Sequence, residues 1–338
     1  MGKRKSRKRS RTRRTSLKAG VVLLALFAVW GIAAEWFVHH PSGWIDEQPG
    51  LLAKPLLWLG NPLADITDGL GWTGYDTVHE YDTEAPSGAV AFAGVPRAVS
   101  SPAPDDIRVL DRGDFLIGWS DKLRHPVWCA YHVVADARFE SSGKRPDFSK
   151  DPSLVRSPRK NDYAKSGYDR GHMAPNHAIE TRYGPVAQKQ TFWMSNIAPQ
   201  TPALNRGVWR DVEHRIADLW TARYGEIWVI VGCISEKSNN ETISGTNIDV
   251  PTDYYQIIIA QEGLDVRALA LLFRQDIPWN AWAARNIVTI RELEKRTGLD
   301  FNPDLPGFFQ DSLETDRPSR LWPVRLRDIF SQIALRFR

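Results

Sequence analysis

Cysteine is scarce: the chain has two in 338 residues, Cys129 and Cys233. Both lie in apolar, strand-like runs. So few cannot make a disulfide framework, and two buried thiols are a simpler reading than a bridge. Cysteine ligand pairs are missing, and so is the helical HExxH pair, which counts against a zinc hydrolase. No internal repeat occurs. Acid is absent from the first 18 residues, "MGKRKSRKRSRTRRTSLK", where ten Lys or Arg are concentrated. The whole chain holds 44 basic and 40 acidic residues, a formal net charge of +4. Setting those ten aside leaves 34 basic against 40 acidic, a net of −6 from residue 19 onward. That body is mildly acidic, so a nucleic-acid partner must be met by a local basic patch.

Long apolar runs are also missing, with one exception. "AGVVLLALFAVWGIAA", residues 19–34, carries no charge, and continued through Val38 it gives about 30 Å of helix, enough to cross a bilayer. The basic block before it predicts a cytoplasmic N-terminus and a chain outside beyond it. An uncleaved single-pass anchor is the preferred reading. A cleaved secretory or twin-arginine signal and a mitochondrial inner-membrane anchor stay open. Residues 39–95, rich in Pro, Gly and Asp, read as a tether.

The main domain is expected over residues 96–310. "IRVLDRGDFLIGWSD" alternates as two strands around a turn. "PVWCAYHVV" (126–134) and "EIWVIVGCI" read as buried strands, and "DYYQIIIAQ" with "VRALALLFR" as a hairpin. A helix is predicted over 202–225: Leu204, Val208, Val212, Ile216, Leu219 and Trp220 recur at three and four, and Gly225 stops it. A basic amphipathic tail is expected over 311–338. The pattern is α+β with antiparallel strands, not an alternating parallel fold.

"YDRGHMAPNH", residues 168–177, packs Asp169, Arg170, His172 and His177 around one glycine and one proline. Phosphodiester hydrolysis needs a base to take the proton of water, and histidine is the natural choice. It also needs positive charge on the phosphate oxygens, which Arg170 can supply as a fork. A divalent cation such as Mg²⁺ keeps several waters, so one or two oxygen ligands from the protein suffice. Asn205 can bind it directly, and Glu213, on the same broad face of the helix, can hold one of its waters. Asp169 reads better as a residue that fixes the loop than as one that touches substrate. His177, five residues from His172, lacks the spacing of a helical zinc pair. Trp209 reads as core. The 14 tryptophans read mostly as packing, although an exposed one could stack on bases.

"DRGHMAP", "TFWMSNIAPQTPALNRGVWRDVE" and "ELEKRTGLDF", in that order, resemble the DNA/RNA non-specific endonucleases, the family of endonuclease G. The similarity runs from about Phe115 to Pro306. It implies a ββα-metal (His-Me finger) fold, with a central antiparallel sheet flanked by helices. It implies His172 as general base, Arg170 and Arg145 as phosphate contacts and Asn205 as the Mg²⁺ ligand. Glu213 would position water on the metal, Asn196 would support the histidine side and the substrate, and Mn²⁺ would substitute. Gln256 stands where the family often has lysine. The partners expected are DNA, RNA and, through residues 19–38, a membrane, with a homodimer left open. A catalytically silent, membrane-tethered nucleic-acid-binding protein on the same fold is the alternative.

Overall fold

A computed structural model of the chain describes residues 79–80, 89–236 and 241–324. All of them belong to one compact unit, Gly74–Asp328. The basic block 1–18, the apolar span 19–38, most of the tether 39–95 and residues 325–338 of the tail lie outside the described residues. Among the described residues no helix is long and apolar enough to cross a membrane.

In chain order the strands are β1 His79–Glu80, β2 Arg97–Ala98, β3 Ile107–Asp111, β4 Phe115–Ser120, β5 His125–Val134 and β6 Asp169–His172. They continue with β7 Ile197–Gln200, β8 Glu226–Ile234, β9 Asp253–Glu262, β10 Asp265–Arg274, β11 Ile287–Val288 and β12 Leu299–Asp300. The main sheet runs β1-β10-β9-β8-β5-β4-β3, with β11 on β10, and every pair in it is antiparallel. The two expected hairpins are present as β3–β4 and β9–β10.

β5 and β8 are apolar along nearly their whole length because both faces of the sheet are covered. Side chains alternate between faces along each strand. One face carries the rows Cys129–Val231–Gln256 and Tyr131–Val229–Ile258. The other carries Trp128, Ala130, Trp228, Ile230, Tyr255 and Ile257, packed against Ile290, Leu293, Phe309 and Leu313 from two C-terminal helices, Ile290–Thr297 and Gly307–Thr315. The first of these starts at a capping box between Thr289 and Glu292 and stops at Gly298, whose φ of 71° is left-handed. That accounts for the motif "TIRELEKRTG".

The predicted helix over 202–225 is present, and all six of its apolar positions are buried. It is less regular than its periodicity implies. Two stretches, Leu204–Trp209 and Arg215–Trp220, are wound as π-helix, and the backbone leaves helical geometry at Gly207. Such local unwinding re-aims side chains and is common at functional sites. The helix crosses the first face of the sheet, where Trp209 meets Tyr254 and Phe273 edge-on, at 5.8 and 6.3 Å between ring centroids. Trp209 is core, as expected.

The packed unit continues past residue 310. That position falls inside the helix Gly307–Thr315, and Trp322 packs on Trp220 and Tyr224, its carbonyl accepting the Trp220 indole N–H at 3.1 Å. It also begins before residue 96: Phe92 is buried in the core, and Trp228 donates to the Ala89 carbonyl. Cys129 and Cys233 are buried free thiols, pushed to high pKa by burial.

Candidate active site

β6 and β7 form a separate antiparallel pair, with Asp169 opposite Gln200 and His172 opposite Ile197. A two-residue period sorts the motif residues. Arg170 and His172 share one face, and both meet the ring of Phe148: the Arg170 guanidinium lies 5.2 Å from its centroid and the His172 ring 5.4 Å. Asp169 and Gly171 take the other face. A Cβ on Gly171 would fall 2.1 Å from Gln200 Oε1 and 2.7 Å from its Cγ, and Gln200 is fully buried. A side chain there would have to displace Gln200, which favours glycine as the third letter of "DRGH".

His172 is walled by Phe148 and by Phe192, which meets it edge-on at 4.8 Å. Its Nε2 is buried with no hydrogen-bond partner among the described residues. Burial, then the positive charge of Arg145, pushes its pKa down to about 3. The ring is therefore neutral at physiological pH, as a proton acceptor must be. Arg145 itself lies over Phe192, 5.7 Å from the ring centroid. The expected phosphate contacts Arg145 and Arg170 are thus both brought beside His172, on its two aromatic walls. Arg170 also donates from Nε to the Lys160 carbonyl at 3.2 Å.

Asp169 connects the strand to the crossing helix. Its carboxylate accepts the side-chain N–H of Asn205 at 2.9 Å and the Nε–H of Arg206 at 2.7 Å. Burial opposes its ionisation, but the bonds from Arg206 and Asn205 and the nearby arginine charges outweigh this and hold its pKa below the usual range. The Asn205 amide is therefore oriented. Its nitrogen is committed to Asp169, and its Oδ1 takes no hydrogen bond from the described residues. A fixed amide oxygen without a protein donor suits a hard cation such as Mg²⁺. One helical turn beyond, Trp209 donates its indole N–H to Glu213 Oε1 at 3.1 Å. Burial pushes Glu213 up to about 8, while that hydrogen bond, Arg145 and Arg210 pull the other way. Arg145 thus acts electrostatically on both His172 and Glu213.

Asn196 has a different place from a substrate contact. It is fully buried, and its amide bonds three backbone groups: the Ala174 N–H and the carbonyls of Ala174 and Thr191, at 2.8, 2.9 and 2.9 Å. Its carbonyl also accepts the Met173 N–H. It clamps the chain just after His172 and has no amide N–H left to offer a ligand. His177 points elsewhere and pairs with Asp218 at 3.3 Å. Gln256 is buried under the site, on the central strand β9.

Three contributions were not legible in the sequence. The Asp169–Asn205 bond spans 36 positions, and no spacing announces it. Phe148 and Phe192 tune His172 from a loop and a helix end. Gln275, at the end of β10, fixes the turn feeding the helix: it accepts the Thr201 N–H at 2.9 Å and donates to the Pro199 carbonyl at 2.8 Å. Tyr254 donates to that same carbonyl.

A family model described as DNA/RNA non-specific endonuclease matches residues 96–308. A mitochondrial nuclease EXOG of Danio rerio is 29% identical over 206 residues, covering 56% of this chain and 59% of that protein. Nuclease C1 of Cunninghamella echinulata is 31% identical over 57% of this chain and 81% of its own. A mitochondrial endonuclease G of Bos taurus is 25% identical over 86% of this chain and 94% of its own. The crystal structure of an EndoG/EndoGI complex shares the fold, with a TM-score of 0.52 and 24% identity over 59% of this chain and 86% of that one. With a family match over well over half of its length, the chain belongs to the DNA/RNA non-specific endonuclease family.

Proposed function

We propose that the protein is a metal-dependent nuclease that hydrolyses the phosphodiester bonds of DNA and RNA on a ββα-metal scaffold made by β6, β7 and the crossing helix. One observation carries the reading: Asp169 holds the Asn205 amide so that its oxygen is left free, on the helix that also carries Glu213 and against the strand that ends in a neutral, unpartnered His172. The silent-receptor alternative would have no need of that imidazole.

His172 takes the proton from the attacking water as the water oxygen forms a bond to phosphorus. The bond from phosphorus to the leaving sugar oxygen breaks. Arg145 and Arg170 hold the charge on the non-bridging oxygens. A phosphate engaging Arg145 also offsets the second cause of the low His172 pKa, which strengthens the base as substrate arrives. Asn205 would hold the divalent cation directly and Glu213 would hold it through water, and the cation would supply Lewis-acid stabilisation of the leaving oxygen. This donor set of hard oxygens fits Mg²⁺ or Mn²⁺ and not a tetrahedral zinc site.

The apolar span 19–38 supports anchoring with the catalytic unit outside the cytoplasm. The mitochondrial names of the EXOG and endonuclease G relatives support the inner-membrane alternative. Protease treatment of intact cells or organelles tests the topology: digestion of the catalytic unit is expected, and its protection with loss of the N-terminus would contradict an outside placement.

Cleavage of plasmid DNA and of RNA should stop with EDTA and return with Mg²⁺. Asn205→Ala should remain inactive at high Mg²⁺, and Glu213→Gln should lose less. An active Asn205→Ala protein with bound zinc would sink the mechanism.

His172 also sets an acid limit on stability. Its folded pKa of about 3 lies below the ordinary 6.5, so between those values the unfolded chain binds a proton that the folded chain does not. Stability should therefore fall as pH drops from 6.5 towards 3. Between pH 7 and 5, wild type should lose about 1–2 kcal/mol more than His172→Asn in urea unfolding. Equal losses would show that the imidazole is not buried as described. His172→Asn should also cut turnover by about 10²–10⁴-fold at pH 7.

A further inference from the structure

Tryptophan is mostly packing in this protein. Trp119, Trp128, Trp209, Trp220 and Trp228 are fully buried. Among the described residues one tryptophan is exposed: Trp279, with 59% of its surface open to solvent. An isolated exposed apolar residue is ordinary, so its position has to make the argument.

Trp279 stands at the kink of the crossing helix. Its carbonyl oxygen and Cε3 lie 3.9 and 4.0 Å from where a Cβ on Gly207 would sit. Gly207 is two residues from Asn205 and next to Arg206. The segment carrying the indole is tied down on its N-terminal side. Gln275 is tied to Thr201, Pro199 and Pro251, its backbone N–H donates to the Thr252 carbonyl, and Ile277 is buried. Beyond it, the Ala281 N–H closes a turn on the Pro278 carbonyl at 3.0 Å. Arg206 and Arg210, both exposed, lie on the helix that Trp279 abuts, and Arg145 and Arg170 lie at His172. An open aromatic side chain therefore stands against Gly207, on the helix that also carries Asn205 and the exposed Arg206 and Arg210.

We infer that Trp279 is a stacking platform for an unpaired nucleobase flanking the scissile phosphate, so that the site favours single-stranded or locally opened nucleic acid over intact duplex. The inference rests on the nuclease reading of the same site. Every base offers a π-face, so stacking on an indole adds affinity without sequence preference. In a continuous duplex the base faces are already stacked on each other and unavailable. A base seated on Trp279 would also fix the register of its phosphate against Asn205 and His172, so the indole acts through substrate position.

The test is binding and cleavage of a fluorescent single-stranded oligonucleotide by the full chain, alongside the same strand with abasic residues. Binding is read by anisotropy in EDTA, which does not depend on turnover. Trp279→Ala should weaken binding of the base-bearing strand roughly tenfold. Trp279→Phe should restore most of the loss, and neither change should matter on the abasic strand. With Mg²⁺, the same pattern should appear in KM more than in kcat. Equal losses on both strands would assign Trp279 a role in packing against Gly207 and overturn the proposal, as would no loss on either. If wild type binds the base-bearing strand in this pattern but cuts nothing with Mg²⁺, the nuclease reading fails and the stacking site stands.

Discussion

The site depends on one carboxylate. Asp169, at the start of β6, grips Asn205 and Arg206 at the start of the crossing helix. It is held ionised although burial opposes this, because two donors converge on it. The bond has two consequences. It locks the helix start to the strand that ends in His172, and it settles which end of the Asn205 amide is left over. The two ends of an amide are nearly equal in shape, so which one faces the site is set by its hydrogen-bond partner. Without Asp169, the amide could turn its NH2 group outward, which has no free lone pair to offer a cation.

The surrounding architecture supports this contact from below and beside. The sheet face under the site is apolar, and Trp209 anchors the helix to it through Tyr254 and Phe273. Gln275 and Tyr254 hold the Pro199 carbonyl and so fix the turn between β7 and the helix. Asn196 ties the chain after His172 to the same region. Asn196 and Tyr254 are buried and Gln275 is half-buried, and their hydrogen bonds go to backbone, the arrangement that makes such groups stabilising. Around the Asp169 carboxylate, the protein thus fixes its site residues with amides and aromatic edges.

Much of this was legible from residue order. Alternation in "IRVLDRGDFLIGWSD" and "PVWCAYHVV" gave strands in their correct places, and the period of Leu204, Val208, Val212 and Ile216 gave the helix and its buried face. The three motif blocks singled out His172, Arg170, Asn205 and Glu213 as candidates. The kink at Gly207 was not legible, because an apolar period cannot register extra backbone residues in a turn. Nor was the job of Asn196: an asparagine near a site reads as a ligand contact until its three backbone partners are seen. Arg145 lies in a loop without periodicity, and its place over Phe192 and its charge tie it to His172. The low His172 pKa needed the two phenylalanine walls, which come from separate segments.

The central claim is that Asp169 orients Asn205 for a cation. It is tested most directly by the Mg²⁺ dependence of cleavage in Asp169→Ala, with folding checked by thermal unfolding. The account predicts a folded variant whose half-maximal Mg²⁺ concentration rises by about tenfold or more, while Arg206→Ala, which spares the Asn205 bond, shifts it less. An Asp169→Ala protein that folds and shows the wild-type Mg²⁺ curve would contradict it.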